Sequence, residues 1–284
     1  MKRYINKIDA ILTQLISQVC SQKASDKGSD TTFSCEAKLN SRMLKCKPTM
    51  QPLPDEQSVS DVRISSGCAF FDRMLNGGYE KDAITTIYGP AGSGKTNLAM
   101  VCAVACVDAG KKVIYIDTEG GFSVERLKQL CQDHKKVLDN ILFLTPTTFE
   151  EQKKDIERLK TLVDQKIGVI IVDTISMLYR YERKLGDETS SEFNRDLSVQ
   201  VAQLTEITRK KNIPVLLTNQ VYSSFQTNGI SMIGGDILKY GSKCLLEIIP
   251  FGGGRRKLVL RKHRSLPVDI ELLFSIVSSG IDPV

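Results

Sequence analysis

From Arg63 onward the chain alternates short, wholly apolar runs with longer segments whose apolar residues recur every three or four positions. The first kind predicts buried strands, the second amphipathic helices. Ile84–Tyr88 (ITTIY), Lys112–Asp117 (KVIYID), Ile141–Leu144, Gly168–Asp173 (GVIIVD) and Pro214–Thr218 (PVLLT) read as strands. Between them, Asn97–Asp108, Val124–Gln132, Phe149–Gln165 and Phe193–Lys210 read as helices; Ile156, Leu159, Leu162 and Val163 keep helical spacing in the third. Strand and helix alternating at short intervals mean crossover connections and a parallel sheet. After Gly241 the pattern changes to β-rich runs at Cys244–Ile249, Lys257–Arg261 and Ile270–Ile276, joined by turns, the first through Gly252–Gly254. These predict antiparallel strands that extend the sheet. The fold class expected is α/β: a mostly parallel sheet flanked by helices, with C-terminal antiparallel strands.

Residues 1–60 differ. Met1–Cys20 carries Ile8, Ile11, Leu12, Leu15, Ile16 and Val19 on one side of a short helix, interrupted by polar residues that no secretory leader tolerates. Residues 21–60 are rich in Ser, Lys, Asp, Thr and Gln, with three prolines, and show no sustained period. The division expected is a flexible extension over 1–60 and one globular domain over 61–284. No run approaches the ~20 apolar residues of a membrane helix.

Composition adds little. The 284 residues include 41% hydrophobic and 25% charged residues, ordinary values for a globular chain. Net charge is +6, which permits a nucleic-acid partner without demanding one. None of the eight cysteines forms a Cys-x-x-Cys pair, and no His lies near Cys102 and Cys106, so a zinc site is not expected and a reducing cytoplasm is.

The chemistry sits where strands end. Gly89-Pro90-Ala91-Gly92-Ser93-Gly94-Lys95-Thr96 matches G-x-x-x-x-G-K-S/T, follows a strand and opens a helix beginning at Asn97. Glycines let successive N–H groups turn inward as an anion nest, and the helix N-terminus adds partial positive charge. Lys95 should reach the β- and γ-phosphates of ATP, and Thr96 should offer its hydroxyl to Mg²⁺. Asp173 ends an apolar strand and is the second expected Mg²⁺ group. Residue 174 is Thr, so no acid follows it; Glu119, in the run DTEGGF, is the candidate for orienting the attacking water, with Asp117 in competition. Asn219 and Gln220 end the next strand and can contact the γ-phosphate.

In order and spacing these pieces resemble the RecA/RadA recombinase superfamily: Ile64-Ser65-Ser66-Gly67, Phe71-Asp72 before Gly77-Gly78, then GPAGSGKT, DTEGGF, GVIIVD, TNQVYS and IGGD at Ile233–Asp236. Within it the chain is most similar to the archaeal RadB group, on the run Leu260-Arg261-Lys262-His263-Arg264-Ser265-Leu266-Pro267 and on the lack of a helix-hairpin-helix domain before the core. The resemblance implies an ATP- and DNA-binding recombinase paralogue with weak hydrolysis. It implies Glu119 as the water-activating acid, Gln220 as γ-phosphate sensor, and Lys262 and Arg264 as cations reaching a neighbouring subunit's ATP. Single- and double-stranded DNA, the main RadA-like recombinase, other recombination proteins and a second copy of the chain are the partners it implies. DNA would lie against two loops, Tyr179–Thr189 with Arg180, Arg183 and Lys184, and Tyr222–Gly235 with Tyr222 and Phe225. Two other readings stay open: a mediator that uses ATP as a structural ligand, and a KaiC-like signalling ATPase without DNA.

Overall fold

A computed structural model describes residues 62–185, 190–224 and 229–284. The expected extension therefore lies outside the described residues. The elements run β1 Arg63–Ile64, α1 Ala69–Met74, β2 Tyr79–Glu80, β3 Ile84–Gly89, α2 Lys95–Asp108, β4 Lys112–Asp117, α3 Val124–Leu130, α4 His134–Asp139, β5 Ile141–Leu144, α5 Phe149–Leu162, β6 Ile167–Asp173 and α6 Met177–Leu185. There follow α7 Ser190–Lys211, β7 Val215–Ser224, β8 Gly229–Met232, α8 Gly235–Gly241, β9 Cys244–Pro250, β10 Arg255–Lys262, β11 Glu271–Val277 and β12 Gly280–Pro283.

One sheet organises the domain in the order β12-β11-β10-β9-β3-β7-β6-β4-β5, with β8 hairpinned on β7; β1 and β2 make a separate ribbon. Strands β3, β4, β5, β6 and β7 are parallel, as the apolar runs predict. The period of two decides which core each side chain joins. Val113 and Tyr115 of β4 pack with α2 residues Leu98, Ala99 and Cys102. Ile114 and Ile116, one position on, pack with Ile156 and Leu159 of α5 and Leu204 and Ile207 of α7. Each such buried side chain contributes about 1.5–3 kcal/mol, so a one-residue slip in β4 would be strongly disfavoured.

The helices are stopped and started locally. Helix α5 opens with a capping box: Thr148 accepts from the Glu151 N–H, and the Glu151 carboxylate accepts from the Thr148 N–H. Helix α3 ends at Leu130, short of the expected Gln132, and α4 restarts with Asp133 accepting from the Lys136 N–H. A polar link crosses the second core. Gln152 of α5 donates to Gln200 of α7 at 2.8 Å and to the Ile175 carbonyl at 3.1 Å, tying both helices to the segment after β6.

Three elements differ from expectation. The segment from Tyr179 is not loop at its start: α6 runs to Leu185, so Arg180 and Arg183 project from a helix. Strand β7 does not end at Thr218 but continues to Ser224 and folds back through β8. Of the C-terminal strands, β9 is parallel to β3 and antiparallel to β10, so it joins the parallel half of the sheet to the antiparallel half.

Candidate functional site: the carboxyl edge of the sheet

Strands β3, β4, β6 and β7 point their carboxyl ends to one edge of the sheet, and Gly89, Asp117, Asp173 and Gln220 end up there. Gly89 closes β3; a Cβ at that position would lie 2.6 Å from the Ile248 carbonyl of β9, so only glycine lets β3 pass so close. Gly92 and Gly94 hold φ of +71° and +105°, as an inward-turning loop requires. Gly94 caps α2, whose N-terminal N–H groups face the loop. Lys95 is buried and bends back over the loop, donating to the Gly89 carbonyl at 3.0 Å and the Pro90 carbonyl at 2.9 Å. Burial pushes its pKa down; Glu119 and Asp173 pull it up. Ser93 Oγ is buried beside it without a hydrogen-bond partner. Asn97 faces elsewhere, its Oδ1 accepting from Arg126 Nε at 2.7 Å.

Asp173 is buried among hydroxyls. Its Oδ2 accepts from Tyr115 at 2.8 Å, its Oδ1 from Thr218, and Thr96 donates to it as well. Burial pushes its carboxyl up, and these three hydroxyls oppose that. The direct Thr96–Asp173 contact brings together the two groups expected at Mg²⁺. No cluster of three or more His, Cys, Asp or Glu suited to a metal occurs among the described residues. A hydroxyl and a carboxylate suit Mg²⁺, which keeps most of its waters and takes its other ligands from phosphate.

Asp117 and Glu119 differ in what they contact. Asp117 turns back on its own loop, its Oδ1 accepting from the N–H groups of Glu119 and Gly121 at 3.2 and 3.1 Å, and its Oδ2 from Phe122 at 3.0 Å. It shapes the turn that presents Glu119 and has little left to offer a substrate. Glu119 is exposed, and its Oε1 accepts from Gln220 Nε2 at 2.7 Å and from Thr174 Oγ1 at 3.0 Å. Arg180 Nη1 stands 3.5 Å from Gln220 Oε1. Glu119, Arg180 and Gln220 share a cleft of about 290 Å³. Asn219, one residue earlier, points to the opposite face of β7, where it accepts from Ser176 and donates to the Ile233 carbonyl. Only Gln220 faces the loop; Asn219 anchors the hairpin.

Beyond Gln220, β7 leads to a cleft of about 1060 Å³ lined by Arg180 and Arg183 of α6, Arg195 of α7 and Tyr222. Tyr222 is 52% exposed, so it is not a core residue. Arg195 went unremarked in the sequence; only the packing of α7 against α6 brings it to this wall. Phe225 and the Lys184 side chain lie outside the described residues.

Lys262 and Arg264 do not join the phosphate loop. Lys262 pairs with Leu245, level with the start of β3, whereas Arg256 pairs with Pro250 at the loop end. Lys262 Nζ donates to the Lys239 and Ser242 carbonyls at the end of α8, at 2.6 and 2.8 Å. Arg264 grips Asp82 with two bonds of 2.8 and 2.6 Å and pairs with Glu80 at 2.9 Å. Of the six basic residues from Arg255 to Arg264, three meet acids within the fold: Lys257 pairs with Glu271, Arg261 with Glu247 and Asp269, and Arg264 with Asp82 and Glu80. A separate cavity of about 890 Å³ near Lys111 and Asn212 lies at the amino ends of the strands, away from this chemistry.

A parallel sheet whose central strand runs into a glycine-lysine loop, with a carboxylate on the next strand but one, defines a RecA-like P-loop fold. The family model for Rad51 matches residues 57–284, and the chain belongs to that family. It is 39% identical over 221 residues to a DNA repair and recombination protein RadB of Methanococcoides burtonii, covering 77% of this chain and 97% of that one. A RadB of Methanococcus maripaludis is 41% identical over 212 residues, with 74% and 96% covered. Among solved structures, the crystal structure of the RadB recombinase superposes with a TM-score of 0.67 at 35% identity, covering 78% of this chain and 99% of that chain.

Proposed function

We propose that the chain is a recombinase paralogue that acts in homologous recombination and DNA repair, binding ATP with Mg²⁺ at the carboxyl edge of the sheet and DNA beside it. The backbone N–H groups of Ala91–Thr96 and the Lys95 ammonium hold the phosphates. Thr96 and Asp173 hold Mg²⁺, whose chemistry is to neutralise charge on the phosphate oxygens. Glu119 orients a water, and Gln220 lies against Glu119 where it can sense the γ-phosphate. DNA follows the wall of Arg180, Arg183, Arg195 and Tyr222, with phosphates on the guanidiniums and a base on the ring. Single-stranded DNA suits an exposed aromatic; duplex binding draws only on the charge. A RadA-like recombinase, other recombination proteins and a second copy of this chain remain the proposed protein partners. No helix among the described residues is long and apolar enough to cross a membrane; a cytoplasmic site of action belongs to the proposal.

One observation carries this reading. Gln220 touches Glu119 at one end of its reach and continues in the same strand to Tyr222. Contact with the γ-phosphate therefore pulls on the hairpin that would meet DNA. The test is fluorescence-anisotropy titration of labelled single-stranded DNA at several salt concentrations, with and without ATP. Affinity should fall with salt and change with nucleotide. Binding indifferent to both removes the DNA reading.

Glu119 Oε1 already accepts from Gln220 and Thr174, so a water must displace one of them or approach Oε2. That favours weak hydrolysis and keeps the mediator reading, in which bound ATP orders the protein for a partner.

A further inference from the structure

We infer that Arg256 is a positioning residue for the phosphate loop: from β10 it fixes the Ser93–Gly94 peptide so that the Gly94 N–H faces the anion. The inference rests on the nucleotide-binding reading of that loop. Arg256 Nε donates to the Ser93 carbonyl at 3.0 Å, although 163 residues separate them. Its Nη1 donates to the Gly254 carbonyl at 2.5 Å. The guanidinium is thus held by the hairpin between β9 and β10 and holds the loop in turn.

In a trans peptide the C=O and the following N–H point in opposite directions. Drawing the Ser93 carbonyl toward Arg256 turns the Gly94 N–H away from β10. That peptide needs an external clamp. It precedes a glycine at φ +105°, and glycine lets a peptide flip at little steric cost. Flipped, the unit would present a carbonyl oxygen to the phosphate in place of a donor. The neighbouring strand packs on the same side: a Cβ on Gly94 would come within 2.5 Å of Ile276 Cδ1 in β11 and 3.7 Å of Arg256 Nε. The C-terminal antiparallel strands therefore do more than widen the sheet. They brace the loop, by a hydrogen bond from β10 and by packing from β11.

The side chain of Gln places its amide nitrogen where Arg has Nε, so Arg256→Gln keeps the donor and drops the charge. Arg256→Met drops both and keeps the apolar stem. Calorimetric titration of ADP and ATP with Mg²⁺, alongside melting curves without nucleotide, reads the difference. The Met variant should lose about ten-fold in affinity for both nucleotides while its nucleotide-free melting temperature stays near that of the unaltered protein. The Gln variant should recover most of the loss. A Met variant that binds as tightly as the unaltered protein overturns the inference, as does a Gln variant as weak as the Met one, since charge would then be the cause. If the Met variant does not fold, Arg256→Lys replaces it: charge kept and donor displaced should bind more weakly than Gln, and the reverse order overturns the inference. Lys95→Ala separates the two levels of the argument. If the unaltered protein binds ATP no better than Lys95→Ala, the nucleotide reading and this inference fall together. If Lys95→Ala abolishes binding and the Arg256 variants bind normally, only the inference falls.

Discussion

The two edges of the sheet use charge in opposite ways. At the amino edge, around the start of β3, cations and anions meet each other: Arg264 with Asp82 and Glu80, and Arg63 with Glu80 at 3.3 Å. At the carboxyl edge, ionised groups meet backbone and neutral side chains instead: Lys95 meets carbonyls, Asp117 meets N–H groups, Asp173 meets hydroxyls, and Glu119 meets an amide and a hydroxyl. Pairing satisfies charge for good. Neutral partners orient a charge without cancelling it, and leave it able to exchange toward a ligand. One edge should therefore answer to stability measurements and the other to function.

The largest test of that contrast is Glu119→Gln. The amide keeps an oxygen to accept from Gln220 and Thr174 and loses only the ability to take a proton. Hydrolysis should fall at least about a hundred-fold, with ATP affinity within about two-fold and the melting temperature almost unmoved. A coupled phosphate-release assay beside a thermal melt decides it. Unchanged hydrolysis would mean that Glu119 only holds the hairpin, and the carboxyl edge would lose its acid.

How far the sequence foretold this contrast depends on how local each pairing is. The parallel strands were legible because residues buried on both faces leave an unbroken apolar run, as in Val169–Val172. The phosphate loop was legible because its glycines and lysine are contiguous. The role of Asp117 was half legible: an acid followed four residues on by glycine can turn onto its own loop amides, and it does, through Gly121 and Phe122. The amino-edge pairs were illegible. Arg264 and Asp82 lie 182 residues apart, and only the β3-β9-β10 order brings them together. In sequence the tract from Arg255 to Arg264 reads as unbalanced positive charge; in the fold Lys257, Arg261 and Arg264 find separate acids, while Arg256 and Lys262 meet backbone carbonyls. The helix α6 was hidden by the resemblance itself, which placed a loop there.

A smaller effect, on folding and not on nucleotide binding, comes from Arg264→Ala. Glu80 is 5% exposed and keeps Arg63 as a partner, while Arg264 is partly solvated. Removing Arg264 should cost about 1–3 kcal/mol of folding stability, read as an earlier denaturant midpoint. ATP affinity of the isolated chain should not change, since Arg264 stands at the far edge from its own loop. A loss of hydrolysis that grows with protein concentration would instead support the trans-acting role that the resemblance implies, and would show that the amino edge serves a neighbour's site as well as its own fold.

The smallest expected effect is that of Asp82→Asn, and pH gives it a signature. The Arg264 guanidinium holds the Asp82 carboxyl below its ordinary value of 3.8. A carboxyl depressed in the folded state stabilises the fold above its unfolded pKa, and that contribution is lost as pH falls through the lower folded value. The pair is about half solvated, so the loss on substitution at pH 7 should stay under about 1 kcal/mol. Melting temperatures of the two proteins should differ slightly at pH 7, hold that gap down to about pH 5, and converge below the ordinary carboxylate range of about 3.9. High salt should narrow the gap at every pH by screening the exposed side of the pair. A gap that widened on acidification would mean that Asp82 is held up rather than down, and the amino edge would no longer be a region where charge is satisfied by its opposite.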